Sequence, residues 1–231
     1  MKILVINGSP RMEGSNTIKL TNAFVAGLND CTENEVETIT IARSNIKPCL
    51  GCFGCWKRTP GKCVIDDDME QHIQKYIAAD LVIWSFPLYY LGVPSGTKAF
   101  MDRLLPTKLP IIEVTSANGN RHPERYDIGN KRHVVISTCG FAATKNNFEP
   151  VSVHFGTVFA GGVTNIYCPE GELFRVPQLR FRTDEYLGYV RQAGREYAQS
   201  GSFTEETKSR LSELLFPQEE FLAMANSSWG R

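Results

Sequence analysis

Two periods alternate along this chain. Ile3-Leu4-Val5-Ile6, Leu81-Val82-Ile83-Trp84 and His133-Val134-Val135-Ile136 are short apolar runs bounded by glycine, proline, serine or charge. Such runs predict strands covered on both faces. Glu35 to Ile41 alternates polar and apolar positions, which predicts a strand at or near a sheet edge, and Val163-Thr164-Asn165-Ile166-Tyr167 predicts a fifth strand. The intervening segments carry the helical period. Leu20, Phe24 and Leu28 predict a helix capped by Ser15 or Asn16. Met69, Ile73, Tyr76 and Ile77 predict another, with Asp67 and Glu70 at capping-box spacing. Ser95 caps a third, running to about Leu105, where Pro106 and Pro110 stop it. Phe148, Val151, Phe155, Val158 and Phe159 form a fourth helical stripe, with Pro150 tolerated in its first turn. Two more helices are expected near Asp184 to Gln199, closed by Gly201, and near Glu205 to Phe216.

Strands alternating with helices imply an α/β fold built on a doubly wound parallel sheet of five strands. No repeat or composition shift marks a second domain. Residues 1–202 are therefore read as the α/β domain, with an aperiodic excursion at 106–131, and residues 203–231 as a helical extension rather than a separate domain. Ligands of such sheets bind outside the carboxyl ends of the strands, so the loops after Ile6, Trp84 and Ile136 should converge on one site. The first of them, Asn7-Gly8-Ser9-Pro10-Arg11 followed by Ser15-Asn16-Thr17, is rich in hydroxyls and opens a helix. A helix N-terminus offers unpaired N–H groups and partial positive charge to a phosphate. The loop matches neither a dinucleotide Gly-x-Gly-x-x-Gly pattern nor a P-loop, so a mononucleotide is expected.

Composition narrows the partners. The 231 residues carry 25 basic and 25 acidic side chains, for a formal charge of zero, and nothing in that balance calls for nucleic acid or an anionic membrane. No apolar run approaches a membrane span and the N-terminus enters a strand directly, so a soluble, cytoplasmic protein is expected. In that compartment seven cysteines point to thiol, metal or redox chemistry rather than structural disulfides. Four of them crowd together as Cys49-x2-Cys52-x2-Cys55-x7-Cys63. Three thiolates spaced by two residues, with a fourth close by, are the ligand set of a [4Fe-4S] cluster, whereas zinc usually takes two separated Cys-x2-Cys pairs. Free or buried thiols, with Phe53 and Trp56 used for packing, fit the same stretch. The histidines offer less. His72 falls on the polar side of its helix and reads as solvated, and His122, His133 and His154 show no partner at metal or triad spacing. No Gly-x-Ser-x-Gly elbow supports serine hydrolase chemistry. Asp102 and Arg103 read as a structural ion pair.

Several motifs occur in order: the Asn7 to Arg11 loop with Ser15-Asn16-Thr17, Ala79-Asp80, Pro87-Leu88-Tyr89-Tyr90, and Lys98-Ala99-Phe100-Met101-Asp102-Arg103. Together they resemble the NAD(P)H-dependent FMN reductase family of flavodoxin-like proteins over roughly residues 1–140. The resemblance implies strand order 2-1-3-4-5 and a homodimer or homotetramer. It implies that Ser9, Arg11, Ser15, Asn16 and Thr17 hold the FMN phosphate, with Asn16 as amide donor and Arg11 as countercharge. Pro87, Leu88, Tyr89, Tyr90 and Gly92 would line the isoalloxazine edge, and Ser137, Thr138, Cys139 and Gly140 would form a third wall; core packing is the alternative for each tyrosine.

The activity implied is transfer of a hydride from NAD(P)H through the flavin to a quinone, a nitro or azo compound, free flavin or a protein, with no side chain acting as acid or base. Arg175, Arg180 and Arg182 either bind the 2′-phosphate of NADPH or form a solvated, subunit-facing segment. The cysteine stretch is similar to that of the iron-sulfur flavoproteins of the same superfamily, whose pattern implies an electron carrier using FMN and a cluster. Reductase relatives without a cluster also carry a Cys-x2-Cys loop here. A non-enzymatic flavin-binding module is the remaining alternative.

Overall fold

A computed structural model describes residues 1–115, 119–128, 130–159, 162–228 and 230. In chain order its regular elements are β1 (Lys2–Asn7), α1 (Asn16–Cys31), β2 (Glu35–Thr40), α2 (Gly54–Lys57), α3 (Met69–Ala78), β3 (Leu81–Pro87), α4 (Ser95–Asp102), β4 (Glu113–Val114), β5 (Asn120–Arg121), β6 (Arg132–Thr138), α5 (Glu149–Val158), β7 (Val163–Cys168), α6 (Arg180–Ser200), α7 (Glu205–Leu211) and α8 (Gln218–Ser227). The main sheet is parallel, in the order β2-β1-β3-β6-β7. With the small antiparallel hairpin β4–β5 set aside, this is the expected order 2-1-3-4-5.

Helices on both faces explain why the central strands read as unbroken apolar runs. Ile3, Val5, Leu81 and Ile83 point to one face, where Leu20, Phe24 and Leu28 of α1 meet Tyr186, Val190 and Tyr197 of α6. Leu4, Ile6, Val82 and Trp84 point to the other, against Met69 and Ile73 of α3, Phe100 of α4 and Phe155 of α5. β2 buries only Ile39 among its apolar residues, as an edge strand does. The helices α1 and α6 cross backbone to backbone. A Cβ on Gly27 would lie 1.9 Å from the Arg191 carbonyl oxygen, and one on Gly194 would lie 2.2 Å from that of Phe24. Phe203, Leu211, Leu215 and Phe221 of the C-terminal extension join the same face.

Several local expectations are corrected. Asp102 and Arg103 do not pair with each other: Asp102 binds Lys98 at 2.6 Å on the surface. Arg103 instead makes a bidentate bond to Asp67, both contacts 2.8 Å, with the two side chains 1% and 0% exposed. Asp67 is thereby removed from the expected capping box, although its carboxylate still accepts the Met69 N–H at 3.1 Å. Ser95 is the first helical residue and makes no cap bond; Pro94 occupies the cap position. His72 is buried, not solvated, because its ring bonds Ser44 Oγ at 2.9 Å and packs near Phe100. Burial lowers its pKa. The cysteine stretch, which shows neither a helical nor a strand period in the sequence, contains the helical turn α2.

The excursion also has a structural role. Trp56 Nε1 donates to the Lys108 carbonyl at 3.0 Å, Tyr126 Oη donates to the Gly61 carbonyl at 3.3 Å, and Trp56 stacks on Phe53 with His122 tilted against it. The excursion thus buttresses the cysteine stretch.

Two outcomes are expected in urea unfolding. Arg103→Met leaves the Asp67 carboxylate buried and unpaired and costs about 3–5 kcal/mol, whereas Arg103→Met with Asp67→Leu recovers much of that loss. Burial raises the Asp67 pKa, but the bonds from Arg103 and from the backbone of Lys47 and Met69 outweigh it and the net shift is downward. The stabilisation is therefore present above the unfolded carboxylate value of about 3.9 and is lost as pH falls through the lower folded value. Equal stability of Arg103→Met and wild type at pH 7 would contradict the pairing. Separately, Gly27→Ala or Gly194→Ala forces α1 and α6 apart and costs about 1–3 kcal/mol or more.

Candidate functional site

The carboxyl ends of β1, β3 and β6 meet at an open cleft. The first wall is the turn after β1. Gly8 is required there, since a Cβ would stand 2.0 Å from Thr97 Oγ1. Ser9 N–H donates to Asn7 Oδ1 at 3.1 Å and Arg11 N–H to Ser9 Oγ at 3.3 Å, which curls the loop over the start of α1. Ser15 caps that helix, its Oγ accepting the Thr17 N–H at 3.2 Å. The second wall follows β3. Leu88 N–H bonds the Thr138 carbonyl at 2.8 Å, and a tight turn closes between Tyr89 and Gly92. Tyr90 and Leu91 at its tip have φ of +50° and +59°, a left-handed geometry that costs a residue with a Cβ on the order of 1 kcal/mol or more. The third wall, Thr138 to Gly140, is joined to the first by a 2.6 Å contact between the Thr17 and Thr138 hydroxyls.

Eleven of the fourteen expected ligand residues line this cleft: Ser9, Arg11, Ser15, Asn16 and Thr17 on one side, Pro87, Leu88 and Tyr89 on another, and Thr138, Cys139 and Gly140 between them. Three do not. Tyr90 points wholly into solvent, Gly92 only closes the turn, and Ser137 lies beneath the floor, fully buried. Two lining residues, Gly171 and Glu172, went unread. They follow β7, so the carboxyl-end rule that found the other loops also marks them. Their placement changes two roles. Asn16 Nδ2 donates to the Gly171 carbonyl at 2.7 Å, so this amide ties the fourth wall to α1, and its buried Oδ1 has no partner. Arg11 Nη1 bonds Glu172 Oε1 at 3.2 Å. Burial pushes the Cys139 thiol up to about 11, so this wall is uncharged at neutral pH.

Elsewhere, the basic stretch forms ion pairs within the chain. Arg180 pairs with Asp184, Arg182 with Glu185 and Glu213, and Arg175 with Glu172. His133 is buried and accepts the Trp84 indole N–H at 3.2 Å, and burial brings its pKa down to about 3. Cys55 is buried, Cys63 half-buried, and Cys49 and Cys52 exposed. Burial raises the Cys55 pKa, and the nearby sulfurs of Cys63, Cys49 and Cys52 add to the rise. Among the described residues no three His, Cys, Asp or Glu side chains converge as a single metal ion requires.

Known proteins add to this geometry. The flavodoxin-like fold family model matches residues 1–157. An iron-sulfur flavoprotein of Methanocaldococcus jannaschii is 38% identical over 111 residues, covering 47% of this chain and 54% of that protein. An FMN-dependent NADH:quinone oxidoreductase of Aromatoleum aromaticum is 30% identical over 129 residues, covering 52% and 62%. The chain spans about half the length of the curated relatives it matches. An FMN-dependent NADH-azoreductase from Bacillus anthracis, solved in complex with FMN, superposes with a TM-score of 0.59 at 17% identity, over 87% of this chain and 99% of that one. An NAD(P)H:quinone oxidoreductase from Methanothermobacter marburgensis gives 0.61 at 16%, over 85% and 96%. At such identities the superpositions speak for the fold. No helix among the described residues is long and apolar enough to cross a membrane. Family model, strand order and superpositions agree: this chain belongs to the flavodoxin-like fold family.

Proposed function

We propose that the cleft binds FMN and that the chain is an FMN-dependent NAD(P)H oxidoreductase for small-molecule acceptors of the quinone or azo class. The observation that carries this is the convergence of the capped α1 N-terminus, the Pro87-Leu88-Tyr89 edge and the Thr138 to Gly140 wall on one cleft. The residues suit the cofactor. A helix N-terminus with Ser9, Ser15 and Thr17 hydroxyls and Arg11 matches a phosphate. Asn16, whose Oδ1 is an unused acceptor among the described residues, also lines the cleft. Bound FMN supplies the two-electron redox chemistry, and the chain supplies position and surroundings. Pro87, Leu88 and the body of Tyr89 shield the ring edge from water, while the neutral Cys139 thiol places no anion beside it. No lining side chain is needed to move a proton. The exposed rim of Tyr89, Tyr90, Leu91 and Phe141 suits cover by a second copy in a homodimer or homotetramer.

A second reading adds a [4Fe-4S] cluster on Cys49, Cys52, Cys55 and Cys63. It is favoured by the Cys49-x2-Cys52-x2-Cys55-x7-Cys63 spacing and by the iron-sulfur flavoproteins among the chain's relatives. In a four-iron cluster each thiolate binds a different iron, so the sulfurs need not converge on a point. The Arg103 guanidinium beside Cys63 would offset part of the negative charge. In that form the chain is an iron-sulfur flavoprotein passing electrons to a redox protein.

Flavin titration and steady-state NAD(P)H oxidation test the first reading. One FMN per chain is expected, with turnover on quinone or azo acceptors. Ser15→Ala weakens FMN binding about five- to tenfold through loss of a hydrogen bond worth about 1–1.5 kcal/mol. Binding of FMN without turnover on any acceptor leaves only a flavin-binding module; no FMN binding removes the reading altogether. For the cluster, anaerobically prepared protein should hold about four irons and four sulfides per chain, lost on Cys63→Ser. A purely flavin spectrum without iron retires the cluster and leaves the oxidoreductase standing.

A further inference from the structure

The fourth wall places a carboxylate where a phosphate ligand needs a cation. Glu172 Oε1 holds Arg11 Nη1 at 3.2 Å across the mouth of the cleft, and both residues line it. Glu172 also has a second guanidinium within reach, Arg175 Nε at 4.0 Å, and Arg175 is itself anchored by its Nη2 donating to the Gly14 carbonyl at 3.4 Å. The Arg11 and Glu172 side chains are 48% and 58% exposed, so their pairing is weak and exchanges at little cost. Asn16, a lining residue only 6% exposed, has a buried Oδ1 without a partner among the described residues.

We propose that Glu172 is an affinity-setting residue of the phosphate subsite: it holds Arg11 while the subsite is empty and yields it to the ligand's terminal phosphate, keeping Arg175 as its own partner. The proposal rests on the reading of the cleft as an FMN site and adds a residue that opposes the cofactor's charge. A carboxylate fixed beside a phosphate dianion repels it, so Glu172 weakens binding of the phosphorylated flavin specifically. Riboflavin, which has the ring and ribityl chain but no phosphate, does not contest Arg11 and is indifferent to Glu172.

The test compares FMN and riboflavin dissociation constants by flavin fluorescence quenching. It uses the full chain freed of flavin, at fixed ionic strength, as wild type, Glu172→Gln, Arg11→Gln and the double variant. Glu172→Gln should bind FMN about three- to tenfold more tightly with riboflavin unchanged, since it removes one exposed pair and one repulsion. Arg11→Gln should weaken FMN about tenfold, and in its background Glu172→Gln should recover only the smaller, repulsive part of its gain. Inorganic phosphate, read by thermal shift, should stabilise Glu172→Gln more than wild type without any flavin. An unchanged or weaker FMN affinity in Glu172→Gln, or an equal change for riboflavin, overturns the proposal while leaving the FMN reading intact. Wild type that binds neither FMN nor inorganic phosphate overturns both.

Discussion

A single buried charge pair determines where the cysteine stretch can lie. The Asp67 carboxylate takes both terminal nitrogens of Arg103 and also the backbone N–H groups of Lys47 and Met69. Arg103 returns a 2.7 Å bond to the Lys47 carbonyl. Residue 47 lies just before the first of the four cysteines and residue 67 just after the last, so one ion pair closes the loop at its base. A buried carboxylate and guanidinium are costly to desolvate unless nearly every lone pair and proton is used, and among the described residues only Arg103 Nε of this pair lacks a partner. The loop between has few apolar residues to bury and depends on that closure and on the excursion that packs over it.

The cleft has a different origin. It is the space left where parallel strands end and their chains turn to opposite faces, so its walls are backbone turns set by the sheet register. The hydroxyl contact between Thr17 and Thr138 and the one between Thr21 and Ser85 tie α1 to the ends of β6 and β3. These bonds place the α1 N-terminus at the cleft through side-chain hydroxyls, and of its first N–H groups the Ser15 cap takes that of Thr17.

What could be read from the sequence follows from which interactions are local. The sheet order and the three walls were legible because strand runs, caps and turn residues are short-range signals, and several stood in the order of a known family. The partners of individual side chains were not. Arg103 was assigned to its neighbour Asp102, yet its true partner is 36 residues away, brought close only by the packing of α3 against α4. His72 looked polar by its place on the helix, but Ser44 and Phe100 come from elements that periodicity cannot position. Asn16 read as a phosphate donor because nothing in its neighbourhood revealed the Gly171 carbonyl, 155 residues on. Tyr90 sits in an aromatic run that suggests a wall, and only the left-handed turn sends it outward.

Gly171 and Glu172 show how far a site can depend on a distant segment. Both follow Glu170, which is fully buried with φ +57° and whose Oε2 accepts the backbone N–H groups of Leu215 and Phe216 at 2.8 and 3.0 Å. Burial raises its pKa against the pull of those two N–H groups. Its Oε2 keeps these two donors only while the segment between α7 and α8 is docked, and that segment docks because Leu211, Leu215 and Phe221 bury against the α1 and α6 face. The C-terminal helices therefore reach the cleft indirectly: they hold Glu170, Glu170 fixes the turn after β7, and the turn presents Gly171 to Asn16 and Glu172 to Arg11. The extension that read as an appendage in the sequence is part of the fourth wall's support.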